Sequence, residues 1–291
     1  MKRRIALLAT CGLAGLAVLG LILRSDLRTE SASVTAPAVT AIPPPSQPSF
    51  AVERRAASAP VSAPTNALFR TASQHWRQPI AEEAFAVFHD WTERYRVASA
   101  VERAGMVTEG VALAGARRVA LKALIQTNPE RALELTVPQA VRRALPAEVA
   151  ALLEERMSGQ GRLAVLGALA EPGREGDVVP TFRKAELAGR EFDAFVYGRR
   201  LGEPTRAGIP LNGIAVDNFF AVNENPLRIL EPEEADGVRA NSGEALCSVS
   251  SRPAAVNQQP VVADVGGQTL FFCQPQHAIE ENERIVAAEG G

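Results

Sequence analysis

The sequence predicts an α+β protein carried behind a membrane helix and a spacer. Three observations predict it. An uncharged stretch of 19 residues, Ile5 to Leu23, follows the basic start Lys2-Arg3-Arg4. A helical apolar period dominates from about 78 to 157. After Gly161, short apolar runs alternate with Gly- and Asn-containing turns. The expected organisation is a signal-anchor or transmembrane segment at 1–30, a disordered Pro/Ala-rich linker at 31–65, a small helical subdomain at 66–160 and an antiparallel β-rich subdomain at 161–291.

As a helix, Ile5 to Leu23 is roughly 28 Å long, close to the hydrocarbon thickness of a bilayer. A secretory apolar core is shorter and ends at a small-x-small site. Here the run ends at Arg24, and the nearest such triplet, Ser31-Ala32-Ser33, lies well beyond it. An uncleaved signal-anchor is therefore expected over a cleaved signal. By the positive-inside rule, the chain after residue 24 lies across the membrane. Cys11 reads as a small apolar residue of that helix.

Residues 31–65 are rich in Ser, Ala, Thr and Pro and cannot bury enough apolar surface to offset the entropy of ordering. Their prolines favour an extended, semi-stiff spacer. The first 65 residues hold seven positive and three negative side chains, net +4; the remainder, with 24 against 30, is at −6. A net charge of −2 over 291 residues excludes a polybasic nucleic-acid binder.

Ile80, Ala84, Phe88, Trp91 and Tyr95 share one face of the first predicted helix. A second helix is expected at about 112–126. Asn128 caps a third, Pro129 to Val137, which Pro138 stops. Pro146 opens a fourth through about Met157, ended by Ser158-Gly159-Gln160-Gly161. Strands follow at 162–169, at 181–187 and 191–197 around Ala188-Gly189-Arg190, at 212–216 and 219–222 around Asp217-Asn218, and at 227–230. Residues 231–243 read as an acidic, turn-rich excursion. The last strands are 245–249 and 261–273, with Gly266-Gly267 turning, before a polar terminal helix from about 279.

Candidate chemistry is sparse. Cys247 and Cys273 lie in predicted strands of the exported part and read most simply as a disulfide, worth about 3 kcal/mol for a loop of this length. Two buried thiols, or one reactive thiol, are the alternatives. His277 is four residues from Cys273, but the intervening Pro275 argues against a shared helix face. His75, His89 and His277 form no H-E-x-x-H, and neither G-x-S-x-G nor a phosphate loop occurs. The pairs Glu82-Glu83, Glu154-Glu155 and Glu233-Glu234 read as solvated faces. Trp76, Phe85, Phe88, Trp91 and Tyr95 read as helix packing. No residue is assigned a catalytic, cofactor-binding or metal-ligating role.

The segment from Arg117 to Leu230 resembles an N-terminal module of very large exported proteins of planctomycetes and verrucomicrobia. The residues carrying this are Leu124 to Leu135, Pro138 with Leu145-Pro146, Phe192 to Gly198, Asn212 to Asp217 and Pro226 to Glu231. In such proteins the module is similar to a pro-region placed before a zinc metallopeptidase domain. This sequence departs from the pattern by ending at Gly291. The resemblance implies a non-enzymatic, scaffolding or pro-region-like partner-binding module, with a metallopeptidase or another exported protein as partner; the charge balance leaves nucleic acid out. Together with the N-terminal apolar run, this makes the expected location a bacterial inner membrane, single-pass with the bulk of the chain periplasmic, or secreted if the N-terminal helix is cleaved. Two further functions stay open. One is an exported hydrolase using carboxylates such as Glu231, Glu233 and Asp236. The other is a carbohydrate- or peptide-binding module using the aromatic cluster, which requires a solvent-facing Trp.

Overall fold

The computed structural model describes residues 68–167, 181–241, 245–254 and 260–290. The predicted membrane segment, Ile5 to Leu23 included, and the predicted linker lie outside these residues. Among the described residues no helix is long and apolar enough to cross a membrane.

Helices come first: α1 (Ala72–His75), α2 (Glu83–Val97), α3 (Ala100–Thr127), α4 (Pro129–Glu134), α5 (Gln139–Ala144) and α6 (Ala147–Ala150). The predicted face of α2 is the buried one, with Phe88 and Trp91 at 0% exposure. α3 begins twelve residues earlier than its periodicity suggests. Ser99 accepts from the Glu102 amide while the Glu102 carboxylate accepts from the Ser99 amide, a capping box that nucleates the extra turns. Asn128 caps α4 as expected, accepting from the Arg131 amide. α5 was not anticipated after Pro138.

The predicted fourth helix is corrected. α6 is a single turn, and strand β1 (Glu155–Gly167) runs straight through Ser158-Gly159-Gln160-Gly161. The glycines are there for space: a Cβ on Gly161 would lie 2.5 Å from the Glu186 carbonyl oxygen and 2.9 Å from Leu211. Glycine inside a strand marks such a close backbone approach.

β1 pairs with β2 (Thr181–Leu187), β2 with β3 (Arg190–Phe195), and β1 also with β4 (Arg206–Val216). β4 pairs with β5 (Phe219–Val222), and β5 closes the barrel by running parallel to β3. The result is a closed barrel of order β1-β2-β3-β5-β4. Both predicted tight hairpins are present, with positive φ at Ala188, Gly189 and Asp217. Leu163, Leu187, Phe192, Leu211 and Phe220 fill the interior.

A second sheet, β6 (Leu227–Ile229), β7 (Val261–Val265) and β8 (Gln268–Phe272), is antiparallel, with Gly266-Gly267 turning between β7 and β8. The acidic excursion is in fact helix α7 (Pro232–Asn241), and the expected strand at 245–249 is reduced to one bridge, Leu246 to Pro253. α8 (Pro275–Gly290) closes the chain and starts at the proline itself.

The helices sit on the barrel through Phe85, Leu121 and Ile125 against Ile214, Val216 and Ala221. Beside this apolar contact runs a buried polar one. Arg117 and Glu154, 1% and 0% exposed at their side chains, pair at 2.6 Å. Arg117 also donates to the Leu135 carbonyl, and Glu154 accepts from the Val137 amide. Glu154 is therefore not on a solvated face; it ties α3 and the 135–137 loop to the start of β1.

Candidate functional site

Where α1, α4, the β4–β5 end of the barrel and β6 meet, a cleft of about 140 Å³ opens. Ionisable groups converge there, which the sequence did not signal. The Asn128 cap and Pro129 fix the start of α4, so Glu130 and Glu134, four apart, present to the same side. Glu224 comes from the turn after β5. Its carboxylate packs where a Cβ of Gly198 would stand, and it accepts from the Arg199 amide at 3.3 Å. Gly198 has φ +56°, so glycine is required there twice over. His75 and Tyr197 also line it, as do Arg70, Arg156 and Arg228, of which Arg156 is paired with Glu231 and Arg228 with Glu234.

The floor is Asn212. Its side-chain amide donates to the carbonyls of Asn225 (2.9 Å) and Pro226 (3.1 Å), which fixes which way the group points. The residue is 1% exposed, and its Oδ1 has no hydrogen-bond partner among the described residues. The Tyr197 hydroxyl donates to Asn223 Oδ1 at 3.4 Å, which also accepts from the Asn225 amide at 2.9 Å.

Partial burial, together with the nearby charges of Glu134 and Glu224, raises the Glu130 carboxyl above its ordinary range; Arg70 opposes this. Glu130 is exposed, and its carboxylate takes part in no hydrogen bond or ion pair among the described residues. Glu134 is held by Arg131 at 2.8 Å and stands 4.0 Å from His75. Burial lowers the His75 imidazole below its ordinary value, against the pull of Glu134. Burial also raises the Tyr197 phenol, which stays protonated. The cleft thus carries the exposed Glu130 carboxylate without a side-chain partner, and it is lined by Asn212, whose buried Oδ1 has none.

Of the other sequence candidates, Glu231 also lines the cleft, and the rest lie outside it. Trp91 is 0% and Trp76 9% exposed, so neither presents a face to solvent; they pack with Phe88 and Tyr95, and the aromatic cluster is core. Glu231 is buried against Arg156 (2.7 Å) and the Gln139 amide, whereas Glu233 is exposed and Asp236 is 73% exposed at its side chain. These three carboxylates do not converge.

Cys247 and Cys273 are brought together, and His277 joins them. Neither cysteine is in a disulfide here. Both sulfurs lie 3.3 Å from His277 Nδ1, and the three ligand atoms fall within 4.8 Å of one another. Pro275 does not keep them apart: it occupies the first turn of α8, where proline is tolerated, and the helix delivers His277 back towards Cys273. Burial alone would raise the Cys247 thiol, but hydrogen bonds from the Ser250 hydroxyl and the amides of Ser250, Cys273 and Val249 outweigh it, bringing it to about 6.

No family model, no curated protein and no solved structure matches this chain.

Proposed function

We propose that this chain is an exported binding module, tethered by its N-terminal helix, whose cleft receives a basic side chain of a partner polypeptide. The observation that carries the reading is the exposed Glu130 carboxylate, which has no side-chain partner among the described residues and stands beside Glu134 and Glu224, at a cleft also lined by Asn212, whose buried Oδ1 has no hydrogen-bond partner there. A buried acceptor left unpaired costs about 1–3 kcal/mol, a cost that a donor-rich ligand removes. Lysine and arginine carry donors and the complementary charge. A volume of about 140 Å³ is below the roughly 300–1,000 Å³ of drug-sized sites, and suits one side chain better than a whole cofactor. The net −6 of residues 66–291 favours encounter with a basic partner. The resemblance to a pro-region-like module fits partner binding, and an exported metallopeptidase qualifies as such a partner.

The module binds without turning its ligand over in this reading. Hydrolysis is the second reading, favoured by one observation: Glu130, raised beside two other carboxylates, resembles a general acid. Calorimetry on the full chain in detergent, with short peptides bearing Arg or Lys and matched peptides bearing Glu, separates the possibilities. Binding of the basic peptides alone, weakened about tenfold or more by Glu130→Gln, is expected. Equal binding of both peptide sets, or no effect of the substitution, overturns the proposal; cleaved peptide seen by mass spectrometry replaces it with the hydrolytic one.

A further inference from the structure

The second sheet carries a group of side chains that the cleft does not use. Residues 247–252 form a tight turn: the Cys247 amide donates to the Arg252 carbonyl (2.7 Å), and the Ser251 amide donates back to the Cys247 carbonyl (2.9 Å). The Ser248 amide donates to the Phe271 carbonyl at 2.9 Å, which pins this turn to the end of β8. Cys273 follows β8 directly, and His277 sits in the first turn of α8. A turn, a strand end and a helix start thus each contribute one ligand-bearing side chain to one point.

The geometry points to a zinc site. A disulfide would bond the two sulfurs to each other and would give no reason for one imidazole nitrogen to address both. A shared metal ion gives that reason. With Zn–S of about 2.3 Å and Zn–N of about 2.05 Å at a tetrahedral angle, sulfur and nitrogen lie about 3.5 Å apart. Both observed separations are 3.3 Å, within a few tenths of an ångström of that edge. Two thiolates and an imidazole are a soft-to-borderline donor set that selects zinc over magnesium or calcium.

The surroundings agree. Cys247 is 1% and Cys273 8% exposed, so the sulfurs are shielded, while His277 is half-buried and leaves one side of the group open. The Gln274 side-chain amide lies 2.9 Å from His277 Nε2. With its oxygen turned to that nitrogen, it accepts from Nε2–H and leaves the Nδ1 lone pair for the metal, the outer-shell arrangement that metal-bound histidines use. No fourth Cys, His, Asp or Glu joins the group among the described residues, so the fourth position falls to water. Binding releases the two thiol protons, and the two thiolates neutralise the dication. The ion ties the 247–252 turn to β8 and α8.

The test uses the full chain, purified with reduced thiols in detergent. Metal analysis after dialysis against buffered zinc is expected to give one zinc per chain. Titration with Co²⁺ is expected to give tetrahedral ligand-field bands and a sulfur-to-cobalt charge-transfer band. Cys247→Ser or Cys273→Ser should reduce that band by about half, and His277→Gln should keep it while weakening the metal at least about tenfold. If a cysteine variant does not fold, the His277→Gln titration and the unsubstituted cobalt spectrum decide. Reduced protein that takes up no metal, a cobalt spectrum without the sulfur band, or a Cys247–Cys273 disulfide in protein prepared with zinc present overturns the site.

Discussion

At the scale of single residues, the buried Arg117–Glu154 pair is the most consequential contact between helices and barrel. Removing one partner leaves a charge stranded in the interior, so Glu154→Gln or Arg117→Met is expected to cost about 3–5 kcal/mol in chemical denaturation. Burial works against ionised Glu154, but Arg117, Arg142 and the Val137 amide more than compensate and lower its carboxyl below the usual range. A carboxyl depressed in the folded state contributes stability above its unfolded value. That contribution is lost as pH falls through the folded value. Stability followed from pH 7 downward should therefore decline below about pH 4, and the decline should be shallower in Glu154→Gln. Two glycines of α3 give a matched comparison. A Cβ on Gly110 would overlap the fully buried Trp91 ring, whereas one on Gly115 meets nothing within 4 Å. Gly110→Ala should lose about 1–3 kcal/mol, and Gly115→Ala should gain about 0.5–1 kcal/mol from helix propensity. Equal effects in thermal melts would contradict the packing of α3 on α2.

At the scale of elements, legibility follows how local the deciding interaction is. The α2 face, the Asn128 cap and the turns at 188–189, 217–218 and 266–267 were readable because each depends on a few adjacent residues. The capping box Ser99…Glu102 was equally local and went unread, so α3 was expected too short. Ser99→Ala should cost about 0.5–2 kcal/mol and fray that first turn, seen as faster amide exchange at 100–103. β1 was illegible for a different reason. Its glycines look like a turn in sequence, and only the approach of other strands explains them: Leu187 at Gly159, and Glu186 and Leu211 at Gly161. α7 was hidden because Pro232, Glu233 and Glu234 read equally as an acidic loop or a helix start. The two candidate sites divide the same way. Cys247 and Cys273 were visible as a pair, but His277 joins them through the direction of α8. The cleft was invisible because Glu130, Asn212 and Glu224 come from a helix, a strand and a turn far apart in the chain.

At the scale of the whole molecule, the closed barrel is the platform on which helices and a second sheet are set, and the cleft lies where all three meet. The connectivity of the barrel says nothing of its ligand, since one fold hosts many functions. What distinguishes this molecule is an exposed carboxylate without a side-chain partner, Glu130, and the unpaired Oδ1 of Asn212 at a mixed-charge cleft on an acidic body. The most direct measurement is isotope-edited NMR of the full chain in detergent during titration with arginine amide. Shifts concentrated at Glu130, Tyr197, Asn212 and Glu224, and abolished by Glu130→Gln, are the predicted result. Shifts scattered over the surface, or none at the Asn212 side-chain amide, would contradict the account.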